Sequence, residues 1–459
     1  MGRVVVAGGG ITGLTAALRL VDAGHEVVVV ERDDRFGGKI RTSPFAGLPA
    51  VDEGADAFLA RVPWGLDLCR ELGLGEQLVS PASGRAYIWW DGALHPIPDG
   101  LVLGVPAGLT RLARSHLLSW TGKMRAAAEP LLPRSFRAAT AHADDLGALV
   151  RRRFGDEVLV RLVDPLIGGI NAGDADHLSL AASAPQIGDV AAANRSLLVG
   201  LRRAAPRRDP SAPVFLAPRT GMSTIVDALV QRLGAAGVEL RTGVTIGRIE
   251  PIGARWDVDA VGLVDGVVVA TPAHVTTGLV RTVAPVAAEL VERIEHASVA
   301  MVTLAFDDRS FGRALDGSGH LVPKPQQRWI TAASWASTKW AHLASSGQVV
   351  LRVSLGRYGA AGVLDRDDDG LVRAACADLA EHLGLRTDPL AARVTRWDQA
   401  FPQYLPGHLD RVAAIERDIA ERAPGLVLAG AAYRGIGIPA CIRQGGEAAR
   451  LLDAHLSSR

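Results

Sequence analysis

Cysteine is scarce: the 459 residues hold only Cys69, Cys376 and Cys441, far apart and without a CxxC pair. That excludes a disulfide framework and a cysteine-based zinc site, and it suits a reducing compartment. Net charge is nearly absent, at +1, so no global field draws the chain toward nucleic acid or an acidic membrane. No apolar run approaches the ~18 residues a spanning helix needs. Met1 leads almost at once into a strand and glycine motif, leaving no room for a leader peptide. The expectation is a cytoplasmic protein, with peripheral membrane contact left open. Repeats and low-complexity tracts are missing too. What is present is ordinary globular composition, 48% hydrophobic and 22% charged, enough for two or three domains.

The informative part comes first. RVVVA (3–7) is an apolar run suited to a buried parallel strand. It runs into Gly8-Gly9-Gly10-Ile11-Thr12-Gly13, then a helical pattern over 14–23 and a second apolar strand over 25–30 that ends at Glu31. Strand, glycine turn, helix, strand and acid are the parts of a dinucleotide-binding βαβ unit, in order. Gly8 permits the tight turn, Gly10 lets backbone approach a pyrophosphate, and Gly13 lets the helix sit close to the strand. The pyrophosphate then meets the free N–H groups of the helix N-terminus. Glu31 can accept hydrogen bonds from ribose hydroxyls, which a 2′-phosphate would oppose; Arg32 beside it is the weaker, contrary signal. RFGGKIR (35–41) supplies a second glycine pair, readable either as approach to a longer cofactor or as an ordinary loop.

Further along, a helix is expected over 64–72 and a hairpin over 87–96 that turns at Asp91-Gly92. From about 100 to 201 the pattern is helical, cut by Pro106, Pro130, Pro133 and Pro165. Arg111, Arg114, Lys123, Arg125, Arg134, Arg137, Arg151, Arg152 and Arg153 lie in this stretch and read first as a solvated face. Sharper readings are an anionic membrane surface or a substrate with several carboxylates. Residues 206–213 read as a proline-rich linker. An amphipathic helix follows over 223–236, then strands over 239–250, 256–258 and 266–270. Strands at 300–306, 329–334 and 348–354 and a strand over 425–429 complete the pattern. Gly435-Ile436-Gly437-Ile438-Pro439 then opens a closing helix.

With these pieces together, the sequence resembles the flavoprotein porphyrinogen oxidases, which oxidise coproporphyrinogen III or protoporphyrinogen IX. The likeness runs over nearly the whole chain. It is carried by GGGITGL (8–14), GGKIRT (37–42), DEGADAFLAR (52–61), LHPIPDG (94–100), AGDADHLSL (172–180), PRTGMSTIVDAL (218–229), RWDQAFPQYLPGH (396–408) and YRGIGIPACI (433–442). The resemblance implies an α/β chain, α+β overall: a Rossmann-like FAD-binding domain (1–75, 206–280, 396–459), a mixed-sheet substrate domain (76–96, 186–205, 281–395) and a helical arm (97–185). FAD is the implied cofactor. Its implied contacts are Gly8, Gly9, Gly10, Ile11, Thr12, Gly13, Glu31, Arg32, Gly38, Lys39, Gly54, Ala55, Asp56, Ala57, Val244, Trp397, Ile436, Gly437 and Ile438. Two positions depart from the family's pattern: Asn171, often aromatic in relatives, and Val62, often basic.

The implied reaction needs neither metal nor protein nucleophile, because the flavin carries the redox chemistry. Six electrons leave the porphyrinogen in three hydride transfers to flavin N5, and dioxygen reoxidises the flavin to give hydrogen peroxide. The soluble coproporphyrin-forming type looks nearer than the protoporphyrinogen type. Arg61 and Lys339 are candidate grips for propionates and Asn171 a further candidate near the substrate; as bare residues, Arg61 and Lys339 read more readily as surface or structural charges. A porphyrinogen and dioxygen are the expected partners, with other haem-pathway enzymes as further candidates and no nucleic acid. The competing readings are a flavin amine oxidase or desaturase, and a flavin-binding relative without turnover.

Overall fold

The computed structural model describes residues 1–133, 144–204, 212–360 and 362–459. Arg134, Arg137 and most of the expected linker (206–211) lie outside the described residues. The chain divides into two compact units. The first comprises Met1–Ser80, Pro213–Glu295 and Leu409–Arg459; the second comprises Pro81–Ala212 and His296–His408.

The first unit is built on a five-stranded parallel sheet. Its order is Glu239–Arg241, Glu26–Val30 (β2), Arg3–Ala7 (β1), Gly266–Val269 and Leu426–Leu428. Val5, Val28 and Val267 are fully buried in its core, which is why these strands read as unbroken apolar runs rather than alternating ones. Each such valine contributes about 1.5–3 kcal/mol by leaving water. Helix α1 (Ile11–Asp22) crosses the closing helix Ile438–Ser457 at backbone contact: a Cβ on Gly445 would lie 2.4 Å from the Thr12 carbonyl oxygen. A mid-helix glycine costs about 1 kcal/mol against alanine, and the close approach is what it permits.

The second unit carries a seven-stranded sheet. Its order is Ala391–Pro402, His296–Asp307, Gln348–Leu355, Ile330–Trp335, Gly319–Leu321, Tyr87–Trp90 and Ala93–Pro96. The last two strands form the hairpin expected from sequence. Asp91 and Gly92 both take positive φ, 51° and 73°, as a two-residue turn matched to strand twist requires. Helix Asp368–Leu383 belongs to this unit, capped by the Asp367 carboxylate, which accepts from Gly370 N at 2.8 Å, and ended by left-handed Gly384.

Two expectations for the helical stretch are corrected. Pro165 does not cut the helix. The chain stays helical from 156 to 171 through a wide π turn at Leu159–Val163, with Pro165 in the first positions of Asp164–Asn171. The wider turn accommodates the donor that proline lacks. Nor is every arginine on a solvated face. Arg153 is buried, 3% exposed, against a fully buried Glu129. Its Nε donates to Glu129 Oε1 at 2.6 Å, and the same oxygen accepts from Leu197 N at 2.8 Å, so one carboxylate holds a cation and a helix N-terminus. Arg151 pairs with Asp156 and Asp176, and Arg111 pairs with Asp99.

Candidate functional site

Beyond the carboxyl end of β1, where ligands sit in open α/β sheets, the chain leaves a backbone-lined cradle. Gly8 has φ +105°, and a Cβ there would lie 2.8 Å from the Ala270 carbonyl oxygen. A Cβ on Gly13 would come within 1.9 Å of the Gly8 carbonyl oxygen, so only glycine lets α1 begin this close to β1. Gly10 is the reverse case: a Cβ there would meet nothing within 4 Å. The space above it is open, on the side where the helix N-terminus has Gly10 as its cap and no side-chain capping hydrogen bond. Unclaimed amides and a positive dipole end favour an anion there.

Glu31 is fixed by backbone donors rather than left loose. Its Oε2 accepts from Gly9 N at 2.8 Å and its Oε1 from Asp33 N at 3.0 Å. Val244 N donates to the Glu31 carbonyl oxygen at 3.0 Å, placing the Val244 backbone beside the acid. The second glycine pair packs on the first: Gly37 N donates to the Gly9 carbonyl oxygen at 2.8 Å, Gly10 and Gly37 form a parallel bridge, and a Cβ on Gly38 would lie 3.5 Å from Gly10 Cα. RFGGKIR is therefore the second wall of the cradle.

Charge converges on the same place. Lys39 is exposed, yet protein surrounds it closely enough that burial lowers its ammonium pKa, opposed by the Cys441 thiol. His274 has the same signature: it is exposed, and its pKa is lowered by burial first, then by Arg32 and Lys39. Cys441 lies in the first turn of Ile438–Ser457, whose cap, Gly437, also makes no side-chain capping bond. Burial raises its thiol pKa, while the Thr12 hydroxyl, Lys39 and Arg443 act the other way. Two helix N-termini, the Lys39 ammonium and the Arg32 guanidinium thus gather about the glycine turn, a donor set matched to a dinucleotide's pyrophosphate.

Of the cofactor residues read from sequence, all but Trp397 lie in the first unit. Gly54, Ala55, Asp56 and Ala57 form an irregular stretch after the hairpin of Thr42–Phe45 and Leu48–Asp52. Preceding it, buried Glu53 accepts from Ser43 Oγ at 2.6 Å and pairs with Arg41. Arg32 is exposed beside Asp33. Trp397 lies in the second unit, paired with Val299 across the sheet. Among the substrate candidates, Arg61 is an exposed residue of the first unit. Lys339 and Asn171 lie in the second unit. Lys339 stands 5.4 Å from the Trp340 ring centroid. Asn171 is buried, and its Nδ2 donates to the Ile167 carbonyl oxygen at 3.0 Å, closing the last turn of its own helix. Sequence reasoning missed His274. The available signal was its place just past the carboxyl end of Gly266–Val269, the edge of a parallel sheet where ligands bind.

The parallel sheet, the glycine cradle and the acid at the end of β2 are the parts of an FAD-binding oxidoreductase. Residues 11–453 match the flavin containing amine oxidoreductase family. The coproporphyrinogen III oxidase of Bacillus subtilis (strain 168) is 33% identical, with 96% of each chain covered. The chloroplastic protoporphyrinogen oxidase 1 of Arabidopsis thaliana is 30% identical, covering 99% of this chain and 88% of its own. The crystal structure of an Exiguobacterium sp. 255-15 protein, proposed to be a protoporphyrinogen oxidase, superposes with a TM-score of 0.86 at 30% identity over 98% of both chains. The chain belongs to the flavin-containing amine oxidoreductases, in their porphyrinogen oxidase branch, and FAD is its cofactor.

Proposed function

We propose that the protein oxidises coproporphyrinogen III to coproporphyrin III in haem biosynthesis, with dioxygen as acceptor and hydrogen peroxide as product, in the cytoplasm. The observation that carries this reading is end-to-end similarity to coproporphyrinogen III oxidases, 33% over 96% of the chain for the Bacillus subtilis enzyme. The intact cradle adds to it. Bound FAD supplies the two-electron chemistry and passes the electrons to dioxygen.

The chain's own groups bind and orient. Backbone amides from Gly8 to Gly13 and the first turn at Ile438 face the pyrophosphate, with Arg32 and Lys39 adding positive potential and neutral His274 beside them. Glu31 holds the ribose, and the Val244 backbone flanks it. Gly38, the Gly54–Ala57 stretch, Ile436, Gly437 and Trp397 complete the proposed cofactor contacts. Arg61 and Lys339 grip propionates, where a cation–carboxylate bond both attracts and orients, and the turn at Asn171 flanks the macrocycle. No helix among the described residues is long and apolar enough to cross a membrane, which agrees with a substrate carrying four ionised carboxylates and met in water.

The test is porphyrin fluorescence in air with coproporphyrinogen III and protoporphyrinogen IX at matched concentrations. Faster turnover of the coproporphyrinogen is the expected result, with a higher KM in Arg61→Ala and Lys339→Ala. The Arabidopsis thaliana similarity favours protoporphyrinogen as the second reading, and equal or reversed rates would move the assignment there.

A further inference from the structure

In the second unit the helix Asp164–Asn171 ends in a left-handed turn that is not made by glycine. Ala172 takes φ 47°, ψ 32°, a conformation that costs a residue with a Cβ about 1–2 kcal/mol. Three consecutive carbonyl oxygens of this turn are each held by a different donor. Asn171 O accepts from Gln403 Nε2 at 3.0 Å, Ala172 O from Tyr358 N at 2.7 Å, and Gly173 O from Arg357 Nη2 at 2.6 Å. Arg357 is in turn held by Asp164, through Nη1 to Oδ2 at 3.2 Å and Nη2 to Oδ1 at 2.9 Å, and both side chains are only 8% exposed. Asp164 Oδ1 also accepts from Ala175 N at 3.0 Å, so one carboxylate grips the chain beyond the turn and the cation grips the turn itself. Ala172 belongs to a small apolar cluster with Ala297 and Val299, against which Tyr358 and Phe401 pack half-buried.

A buried ion pair is a poor device for stability alone, since desolvation cancels much of its attraction. Its geometry, however, fixes position. We propose that Arg357, with Asp164 and Gln403, is a positioning device that locks the Asn171–Gly173 turn, so that the turn and the Tyr358–Phe401 face present one shape to the substrate. The three act through the turn that they hold, which makes them positioning residues. The inference rests on the porphyrinogen reading, so wild-type turnover of coproporphyrinogen III is the internal control.

The experiment measures KM and kcat for coproporphyrinogen III in Arg357→Lys, in the double variant Asp164→Asn/Arg357→Gln, and in Ala172→Gly. The double variant leaves no unpaired buried charge, and Ala172→Gly keeps the turn's hydrogen bonds while removing the methyl that packs with Ala297 and Val299 and freeing the backbone. In each, the flavin absorbance band is recorded as a check that the first unit still holds FAD. A turn misplaced by an ångström costs on the order of a hundredfold in kcat/KM. KM is expected to rise at least about tenfold in the double variant, less in Ala172→Gly and Arg357→Lys, with the flavin band unchanged. Arg357→Lys retaining more function than the double variant supports positioning. Wild-type KM in Ala172→Gly and in either clamp variant that retains flavin would overturn the clamp while leaving the porphyrinogen reading intact. Absence of turnover by the wild type would overturn the reading itself, and the clamp with it.

Discussion

The two units meet the same problem, holding chain in a functional shape, by different means. In the first, backbone lies against backbone. Gly13 admits α1 to the end of β1, Gly37 and Gly38 close on Gly9 and Gly10, and Gly445 brings two helices together. In the second, charged and polar side chains are closed away from water: Glu129 with Arg153, Asp164 with Arg357, and His320 with His382. Where backbone meets backbone, as at Gly13, the cradle tolerates no added atom, and no buried ion pair is needed to hold it. A buried polar lattice is sensitive to pH and to the loss of either partner.

That contrast can be broken in four places. The largest effect is expected from Gly13→Ala, where the new methyl would collide with the Gly8 carbonyl 1.9 Å away. The helix must move off the strand, and the purified protein is expected to be colourless, losing its ~450 nm flavin band altogether. Next comes Arg153→Met, which leaves Glu129 charged and unpaired in the interior. It should destabilise by about 3–5 kcal/mol, read as a fall in the urea midpoint of the second unit's unfolding. Restoring part of that loss with Glu129→Gln in the same chain would confirm that the orphaned charge is the cause.

The third place is the histidine pair. His320 Nε2 and His382 Nδ1 lie 3.1 Å apart, and Trp89 packs 4.4 Å from the His382 ring. Burial holds His382 down to about 4 and His320 well below 6.5, the latter helped by His382 and Arg313. The fold therefore favours the neutral rings, while the unfolded chain takes up protons first as pH falls. Their contribution is complete above about pH 6.5 and drains away toward pH 4, with His382 alone accounting for about 3 kcal/mol. Unfolding free energy measured from pH 7.5 to 4.5 should fall over this window, and substitution of both residues by glutamine should flatten the curve. The smallest effect is expected from Gly10→Ala. Its Cβ meets no protein atom within 4 Å, so stability without cofactor should change by less than about 0.5 kcal/mol. FAD affinity should nonetheless drop about tenfold, because the methyl occupies the approach to the pyrophosphate.

The same contrast explains what could be read in the chain. β1, α1 and β2 were legible because every determinant is local: a valine run, glycines at fixed offsets, an acid at the next strand end. The hairpin at Asp91-Gly92 was legible for the same reason. Strand Ala391–Pro402 was not, because its charged and apolar residues do not alternate cleanly and its partner His296–Asp307 lies some hundred residues away. Helix Asp368–Leu383 had readable signals, Asp367 before it and Gly384 after it, and was passed over. Arg153 looked like one more surface arginine because Glu129 is 24 residues distant, and nothing local marks Arg357 as the partner of an aspartate 193 residues earlier. Within the cradle, glycines and Glu31 announced themselves by spacing. His274 did not, since only the return of the sheet's fourth strand brings it near Lys39 and Arg32.

A glycine cradle in the first unit that holds FAD for use on a porphyrinogen must show the flavin being reduced by that substrate. Anaerobic mixing of the purified protein with coproporphyrinogen III, followed at ~450 nm, tests it in one trace. Bleaching of the flavin band, with recovery on admitting air and the appearance of porphyrin fluorescence, is the predicted result. A flavin band that persists unchanged with both coproporphyrinogen III and protoporphyrinogen IX would contradict it.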